Sequence, residues 1–377
     1  MDQCVVPPGA LATKTGTPIK VFTQFKKSWV AWIEERGLRA IEPLPLDGQG
    51  PSQEHDELEF DDLPVGYHPS EWPELDLKGV RATFPAGEAA AMDQLHTFLT
   101  HHAANYQESR NHFHAGGASR MSAPLAIGAI SLKQCLMAAR ELNGGALLRG
   151  QPGLMHWISE LCWRDFYRHV LVAFPHVMRG HAFRSEHEHL AWRAWPIDEA
   201  TGKSTNLQGE EDFQRWCKGQ TGVPIVDAGM RQLRREGWLN NRLRMVVAMY
   251  LTKDLLIHWR RGERFFMENL IDYDYSSNNG GWQWNASTGT DAQPYFRIFN
   301  PLLQSEKFDP SGDYLRMYVE ELREVAAPGI HQPDQRLPRE AFAKLQYPKA
   351  MVEHHKAKDK VLALFTTVKG KRALDTD

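Results

Sequence analysis

The stretch DYDYSSNNGGWQW, residues 272–284, combines two kinds of residue that proteins usually keep apart. Asp, Asn and Gly are typical of solvated turns, whereas Tyr and Trp usually stabilise cores. The stretch shows neither helical nor strand periodicity, so it is predicted to be a loop. The rest of the sequence must explain why this loop needs both kinds.

The composition is that of a globular protein. Of the 377 residues, 42% are hydrophobic and 24% are charged, and this length allows roughly two domains. No apolar run approaches the roughly 20 residues that cross a bilayer, and the N-terminus lacks a signal-peptide pattern. The four cysteines lie far apart without metal-binding spacing. We therefore expect no metal and no membrane, and a reducing intracellular compartment.

Charge is distributed unevenly along the chain. Residues 1–105 contain 8 Lys and Arg against 16 Asp and Glu, while residues 106–377 contain 36 against 31. A basic body is compatible with a polyanionic ligand. Solvated helix faces are the alternative, and they are equally compatible with the basic cluster Arg231, Arg234, Arg235 and Arg242.

The front of the chain differs from the remainder. Residues 1–25 are interpreted as a strand-like remnant of another domain that leads into a helix near Lys26–Arg36. Residues 26–87 are interpreted as an interdomain linker, because residues 41–74 are rich in Pro, Gly and acidic side chains. A domain from residue 88 to residue 377 follows.

The pattern from residue 88 onward is helical, with no βαβ alternation and no internal repeat. One helix is predicted from Pro152 to Phe174, since Pro175 follows. A second is predicted between Pro224 and Gly237, and a longer one from Asn240 to Arg261, stopped by Gly262. The fold class is therefore mainly α.

The first of these helices carries an unusual face. Trp157, Glu160, Trp163 and Arg164 are spaced by three and four residues, so they share one side. A core stripe would bury the two charges, and a solvated stripe would expose the two tryptophans. A ligand cavity would resolve this conflict. On a later helix Trp238, Asn241, Arg244 or Met245 and Ala248 repeat the pattern.

The stretch GGASRMSAP, residues 116–124, precedes another helix. Its backbone N–H groups, the hydroxyls of Ser119 and Ser122 and the guanidinium of Arg120 would suit a diphosphate. Ser-rich helix caps are common, so the alternative is an ordinary cap.

Three stretches together resemble one family. They are WISELCWRDFYRH from residue 157, GWLNNRLRMVVAMYLTKDLLIHWRRGERFF from residue 237 and LIDYDYSSNNGGWQWNASTGTDAQPYFRIFNP from residue 270. The sequence resembles the DNA photolyase and cryptochrome family, and within it the class I cyclobutane pyrimidine dimer photolyases. The resemblance implies a helical domain that holds FAD in a U-shaped conformation beneath a DNA-facing cavity.

The resemblance also implies the residues that hold FAD. These are Tyr106, Ser119, Arg120, Met121, Ser122, Trp157, Arg164, Trp238, Asn241, Arg244, Asp272, Tyr273, Asp274 and Asn278. Asp272 is expected to pair with Arg244, and Asn278 to face the flavin N5 edge. Gly280 and Gly281 are expected to let the backbone pass close to the flavin ring. The polar residues of the opening stretch would thus serve the cofactor.

The implied activity is light-driven repair of ultraviolet-damaged DNA. Reduced, anionic FAD would give an electron to a cyclobutane pyrimidine dimer that has flipped out of the duplex. The implied substrate contacts are Glu160, Trp163, Asn241, Arg242, Met245, Trp284, Arg110, Arg297 and Gln304. Trp163 and Trp284 would flank the dimer, and Glu160 would hydrogen-bond or protonate its carbonyl edge.

The implied catalytic residues are Glu160, Asn278 and a chain of tryptophans that links the flavin to the surface. Trp282, Trp259 and Trp216 match this chain in the order from flavin to surface. The alternative for Trp259 and Trp216 is an ordinary core or rim position.

The sequence departs from the family at two places. Ala118 stands where Thr is usual, which would remove one hydroxyl contact to the diphosphate, worth roughly 1 kcal/mol. The front, PGALATKTGTPIKVFTQFKKSW, resembles only the last part of the family's α/β antenna domain. A folate or deazaflavin antenna is therefore not expected.

Two alternatives remain open at this point. One is a blue-light photoreceptor of the cryptochrome type, which would keep FAD but not need the lesion contacts. The other is a plain helical binding protein or an inactive truncated fragment. A monomer is expected, located in the nucleus if the source is eukaryotic and otherwise in the cytoplasm.

Overall fold

The structure is a computed structural model that describes residues 3–38, 76–113, 117–198 and 203–374. These residues are helical apart from loops and two isolated β-bridges, which pair Arg193 with Ile257 and Ile197 with Ser204. The predicted mainly α fold is thus confirmed. Among the described helices, none has the length and apolar character to cross a membrane.

The helices follow one another closely along the chain. In order they are α1 Phe22–Arg36, α2 Leu77–Thr83, α3 Glu88–His101, α4 Tyr106–Ser109, α5 Ser122–Ile127, α6 Leu132–Leu142, α7 Pro152–Ala173, α8 Pro175–Met178, α9 Leu207–Cys217, α10 Pro224–Glu236, α11 Asn241–Met249, α12 Trp259–Asn269, α13 Tyr275–Ala286, α14 Pro301–Phe308, α15 Asp313–Tyr318, α16 Pro333–Arg336, α17 Arg339–Lys344 and α18 His354–Leu374. Short 3₁₀ turns cover Ala103–Asn105, Ser185–His187, Glu320–Leu322 and Gly329–His331, and a π-helix covers Tyr250–Asp254.

Two hydrophobic cores organise these helices. The first lies among α1, α3, α6 and α7 and contains the buried Trp29 and Phe166. The second is built mainly from α9 to α15 and contains the buried Trp216, Leu243 and Tyr314. Each fully buried large side chain contributes about 1.5–3 kcal/mol. Helix α7 of the first core packs against α13 of the second, so the two cores meet at this pair.

Helices α7 and α10 have the predicted ends. Helix α7 has Pro152 in its first turn and ends before Pro175, because a residue that precedes proline disfavours helical geometry. Helix α10 starts with Pro224 and ends at Glu236, and Gly237 follows it with a left-handed φ of 64°. Proline at the start and glycine after the end are the expected signals.

The front of the chain packs onto α7. The carboxylate of buried Asp165 accepts hydrogen bonds from Val5 N at 3.0 Å, Val6 N at 3.1 Å and Trp29 Nε1 at 2.8 Å. Residues 17–21 form no strand, and α1 begins at Phe22, across the limit predicted at residue 25. The predicted domain limits stay a prediction, and the Pro- and Gly-rich residues 41–74 lie outside the described residues.

The long helix predicted from Asn240 to Arg261 is wrong. Helix α11 ends at Met249 and continues as the π-helix, and the chain then turns at Leu256, whose φ is 55°. Helix α12 starts afresh at Trp259 and runs through Gly262. Neither Pro nor Gly marks the break, so the sequence carries no local signal for it.

The loop predicted for residues 272–284 is also wrong. Asp274 caps helix α13 by accepting a hydrogen bond from Ser277 N at 2.9 Å. The helix then buries Asn279, Trp282 and Gln283 against its neighbours. Ser, Asn and Gly have low helix propensity and cost up to about 0.7 kcal/mol for Ser or Asn and about 1 kcal/mol for Gly, but an N-cap and tertiary packing outweigh this cost.

Lys253 in the π-helix is almost fully buried. Its Nζ donates hydrogen bonds to Ala286 O at 3.1 Å and Ser287 Oγ at 2.9 Å, at the C-terminal end of α13. It also lies 4.2 Å from the ring centroid of Phe365. Burial lowers the pKa of Lys253 from 10.5 to about 7, since desolvation disfavours the charged form.

The low pKa of Lys253 predicts a rise of stability with pH. Between the folded pKa of about 7 and the unfolded pKa of 10.5, the unfolded chain binds one more proton than the folded chain. The free energy of unfolding should therefore gain up to about 1.4 kcal/mol per pH unit from this group. Urea unfolding from pH 7 to about pH 9 measures the slope, and Lys253→Met should reduce it.

Exposed Lys14→Met provides the control, because its slope should match that of the unsubstituted protein. Equal slopes for Lys253→Met and the unsubstituted protein would contradict the prediction.

Candidate functional site

A cavity of about 470 Å³ opens along the seam between the two cores. Its walls come from α7, α11, α13 and the segment around α4 and α5. The predicted site residues that line it are Tyr106, Arg110, Ser119, Arg120, Met121, Ser122, Trp157, Glu160, Trp163, Arg164, Trp238, Asn241, Arg244, Met245, Asp272, Asp274, Asn278, Trp282 and Trp284. The fold therefore brings most of the predicted residues into one space.

The mixed face of α7 forms one wall of this cavity. Trp157, Glu160, Trp163 and Arg164 all line it, as the spacing by three and four requires. The ring of Trp163 stacks on Phe22 of α1, with centroids 3.6 Å apart and planes 5° from parallel. The cavity resolves the conflict in the sequence, because the tryptophans pack against neighbouring rings while Glu160 and Arg164 find polar partners at the cavity wall.

Asp272 and Arg244 form the predicted ion pair. Arg244 Nη2 donates to Asp272 Oδ2 at 2.7 Å, and Arg244 Nε donates to Leu239 O at 3.0 Å. The other oxygen, Asp272 Oδ1, is buried and has no hydrogen-bond partner among the described residues. Asp272 also lines the cavity, so this oxygen could accept a hydrogen bond from a group bound there.

Asp274 joins α7 to the start of α13. One carboxylate oxygen accepts from Arg168, with Arg164 also at 3.5 Å, and the other caps α13 through Ser277. Burial alone would raise the pKa of Asp274, but the guanidinium groups of Arg164 and Arg168 lower it below its usual value. Its oxygens are thus already engaged within the protein.

Glu160 forms an ion pair with Arg110. The guanidinium of Arg110 also lies 5.8 Å from the ring centroid of Tyr106. Arg110 lines the cavity wall beside its partner Glu160, and its predicted substrate contact stays a prediction. Glu160 and Arg110 together form a polar corner beside Trp163.

The two asparagines of the opening stretch are held by one residue of α12. Asn278 Nδ2 donates to Glu263 O at 2.9 Å, and Asn279 Nδ2 donates to Glu263 Oε1 at 2.7 Å. Burial raises the pKa of Glu263 to about 7, and the bond from Asn279 opposes this shift. Asn278 lines the cavity while Asn279 is buried, so Glu263 fixes the orientation of this wall.

The two glycines of this stretch have different environments. A Cβ at Gly280 would lie 2.1 Å from the ring of Tyr167, whereas a Cβ at Gly281 would meet nothing within 4 Å. Gly281 lines the cavity. The prediction that both glycines admit a ligand is therefore wrong for Gly280, which is required by the contact between α13 and α7.

The segment before α5 is shaped by an unusual backbone at Arg120, whose φ is 54°. Its guanidinium lies 5.3 Å from the ring centroid of Trp238. Gln94 Nε2 holds Ser119 O at 2.9 Å, and Trp238 Nε1 donates to Ser122 Oγ at 3.3 Å. The predicted diphosphate role of this segment stays a prediction.

The three predicted relay tryptophans are all buried. Trp282 is 2%, Trp259 1% and Trp216 0% exposed. The rings of Trp216 and Trp282 lie 6.1 Å apart, so Trp216 adjoins Trp282 and is not the surface end of the chain. The predicted place of Trp216 at the surface is wrong, since the spacing of motifs does not indicate how deeply a side chain is buried. A Cβ at Gly262, one turn after Trp259, would lie 2.0 Å from the Trp282 ring.

Four predicted contacts lie outside the cavity lining. Arg242 Nε donates to Asn111 Oδ1 at 3.1 Å, and burial lowers the pKa of Arg242. Arg297 is exposed, Gln304 is half-buried, and Tyr273 packs against the second core. The substrate contacts predicted for Arg242, Arg297 and Gln304 are not tested by this geometry, and Tyr273 is not part of the cavity wall.

Sequence reasoning missed two residues of the site. Asn285 lines the cavity, and its Oδ1 is buried without a partner among the described residues. Asn285 follows Asn278 by seven residues, so a helical interpretation of this stretch would have found it. Phe22, which supports Trp163, gives no comparable signal because it lies far away in the sequence.

Comparisons with known proteins agree with this cavity. Residues 157–367 match the family model described as "FAD binding domain of DNA photolyase". The deoxyribodipyrimidine photo-lyase of Vibrio cholerae is 41% identical over 373 residues, which cover 98% of this chain and 72% of that protein. The enzyme of the same name from Escherichia coli is 39% identical over 383 residues, with the same two coverages.

Solved structures agree as well. A class III photolyase from Agrobacterium tumefaciens has a TM-score of 0.77 and 34% identity, over 98% of this chain and 72% of that one. A cryptochrome from Synechocystis has a TM-score of 0.72 and 28% identity, over 96% and 72%. Assignment to class I stays a prediction. The family match, the identities and the fold show that this chain belongs to the DNA photolyase and cryptochrome family.

Proposed function

We propose that this protein is a light-driven deoxyribodipyrimidine photo-lyase that splits cyclobutane pyrimidine dimers in ultraviolet-damaged DNA. The observation that carries the proposal is the wall formed by α7, where Trp157 and Arg164 share one cavity with Glu160 and Trp163. One end of this wall suits a flavin nucleotide, and the other suits a pair of stacked bases. Identity of 41% to the Vibrio cholerae enzyme over nearly the whole chain supports the same activity.

The cavity offers FAD the acceptors that a nucleotide needs. Asp272 Oδ1 and Asn285 Oδ1 are buried without partners among the described residues, and would accept hydrogen bonds from N–H or O–H groups of FAD. Arg120, Ser119 and Ser122 would hold the diphosphate. When bound in its reduced, anionic form, FAD supplies absorption of blue light and donation of one electron.

Further residues would hold FAD by packing and by polar contact. These are Tyr106, Met121, Trp157, Arg164, Trp238, Asn241, Arg244, Asp274 and Asn278, all of which line the cavity. Asn278 is oriented by its bond to Glu263 O. Such fixed orientation lowers the ordering cost of binding.

Trp163 and Trp284 would form the platform for the flipped dimer. Trp163 is supported from behind by Phe22, so it loses little rotameric freedom when a base stacks on its open face. Each stacked base contributes about 1–3 kcal/mol. Asn241 and Met245 line the same space and would contact the bases.

Glu160 would bind the pyrimidine edge. As a carboxylate it would accept the N–H of a pyrimidine, and as a carboxylic acid it would donate to the neighbouring carbonyl. Its ion pair with Arg110 orients the carboxyl group before the dimer enters. Glu160 would therefore serve orientation and proton supply.

Arg242, Arg297 and Gln304 would contact the DNA strand around the dimer. The guanidinium of Arg242 lies over the rings of Phe299 and Phe308 at 5.5 and 5.0 Å, which would hold it for a phosphate. Each arginine that binds a phosphate steepens the dependence of affinity on salt by about one unit.

An antenna chromophore is not included in this proposal. The proposed chemistry uses FAD alone, and the expectation about a folate or deazaflavin antenna stays a prediction. A monomer and an intracellular compartment stay predictions.

Repair activity is the first prediction. Purified protein with retained flavin is reduced with dithionite, mixed with an oligonucleotide that contains one thymine dimer, and illuminated with blue light. Chromatography should show loss of the dimer only in the light. A bound flavin without repair would instead favour a photoreceptor of the cryptochrome type, and loss of flavin would identify an inactive fragment.

Glu160→Gln tests the lesion contact. The amide cannot pair with Arg110 as a charge or supply a proton, so the affinity for dimer DNA should fall roughly tenfold, and the repair yield should fall with it. Gel-shift titration measures affinity, and the flavin content should be unchanged. Exposed Glu108→Gln is the control. Equal affinity of both variants would contradict the assigned role.

Asp272→Asn tests the cofactor contact. The variant removes the charge that pairs with Arg244 and weakens the free acceptor, so the affinity for FAD should fall by about 1.5–3 kcal/mol. Fluorescence titration of the apoprotein with FAD measures this loss. Glu268→Gln breaks an exposed ion pair with Arg264 and should leave FAD affinity unchanged. Retention of full affinity in Asp272→Asn would exclude Asp272 from the site.

A further inference from the structure

His258 lies between two tryptophan rings at the start of α12. Its imidazole stacks on Trp195 with centroids 4.1 Å apart and planes 20° from parallel. It also stacks on Trp259, with centroids 5.7 Å apart and planes 26° from parallel. These three residues form a continuous aromatic stack, which we call the Trp259–His258–Trp195 stack.

The capping contact of α12 fixes the charge of this imidazole. The backbone N–H of Arg260 donates to His258 Nδ1 at 3.1 Å, so Nδ1 carries a lone pair and any proton lies on Nε2. A doubly protonated ring could not accept this bond. Burial and the neighbouring Arg260 also lower the pKa of His258 to about 3. The ring between the tryptophans is therefore neutral at physiological pH.

The stack runs from the interior towards solvent. Trp259 is 1% exposed and His258 is 7% exposed, whereas Trp195 is half-buried. Trp192 also touches His258, but edge-on at 66°, and is only 7% exposed. Among these rings Trp195 combines face-to-face contact with access to water. Trp216, by contrast, is fully buried.

We propose that the Trp259–His258–Trp195 stack is the outer end of the tryptophan relay, with His258 as its positioning residue and Trp195 as the surface donor. This inference rests on the proposed function and on the tryptophan relay that the family resemblance implies, in which oxidation of Trp282 passes to Trp259. One electron moves from Trp195 across the imidazole of His258 and reduces the oxidised Trp259. Oxidised Trp195 then loses its Nε1 proton to water, and a thiol in solution returns one electron and one proton.

The charge beside Trp195 opposes its radical cation, so the outward transfer depends on loss of the Nε1 proton. A neutral imidazole adds no positive charge that would oppose transfer of the oxidation from Trp259 to Trp195. The guanidinium of Arg260 lies 5.3 Å from the ring centroid of Trp195, so it penalises the cationic form of oxidised Trp195 and favours loss of its proton. The neutral Trp195 radical that remains cannot oxidise Trp259 again without recovering a proton.

Two substitutions at His258 separate the ring from the cap. His258→Asn keeps an oxygen that caps α12 but removes the aromatic bridge, whereas His258→Phe keeps a ring but removes the cap. Trp195→Phe removes the surface donor, and Trp192→Phe is the matched control. Each variant is made in the full chain with bound flavin and illuminated in the presence of dithiothreitol.

The rate of flavin photoreduction should fall at least several-fold in Trp195→Phe and His258→Asn, and much less in His258→Phe and Trp192→Phe. Transient absorption gives a second readout, since the long-lived neutral tryptophan radical should be lost in Trp195→Phe. Nitrogen-15 NMR of the imidazole should show a proton on Nε2 and none on Nδ1, independently of the flavin.

Unchanged photoreduction and unchanged radical lifetime in Trp195→Phe and His258→Asn would overturn the proposal. A decrease in His258→Phe alone would also overturn it, because the cap and not the ring would then matter. Repair by the dithionite-reduced, unsubstituted protein tests the proposed function separately, since chemical reduction bypasses the relay. If the unsubstituted protein repairs DNA after chemical reduction but shows no photoreduction, only the proposed role of the stack is rejected. If it shows neither repair nor photoreduction, the proposed function is rejected as well.

Discussion

The carboxylate of Asp274 is the interaction on which the cavity depends. It caps α13 through Ser277 and accepts from Arg168, with Arg164 nearby, on α7. A buried carboxylate without such partners would cost several kcal/mol, and so would the buried guanidinium groups. The same contact therefore starts a helix of weak propensity and fixes that helix against the other core. The distance between the two walls of the cavity follows from it.

The carboxylates at these walls differ in whether the protein supplies hydrogen-bond donors to all of their oxygens. Asp274 is saturated by protein donors, whereas Asp272 uses one oxygen for Arg244 and leaves the other buried without a partner among the described residues. A donor from a bound group would offset this cost. Asn285 has the same property. These two oxygens line the cavity and are the acceptors that the proposed function assigns to FAD.

The sequence predicted the parts of the site that depend on local periodicity. The spacing of Trp157, Glu160, Trp163 and Arg164 was sufficient to put them on one wall, because α7 is long and regular. Prediction failed at α13, since propensity describes an isolated segment while packing against two neighbours decides the fold. It also failed at the break after Met249, where a π-helix and a left-handed Leu256 follow from tertiary contacts.

The sequence also could not predict how deeply each tryptophan is buried. A motif identifies which tryptophans occur, but Trp216 and Trp259 are both buried and only their neighbours distinguish them. Gly262 admits the ring of Trp282 against α12, and the break before α12 turns His258 towards Trp195. The turn that disrupts the predicted long helix is thus the feature that directs an aromatic path to solvent. The irregular backbone at this point has a physical reason. In a continuous helix, residue 258 would lie in the helix interior, where the backbone N–H groups bond within the helix. Its imidazole would then have no free N–H to cap.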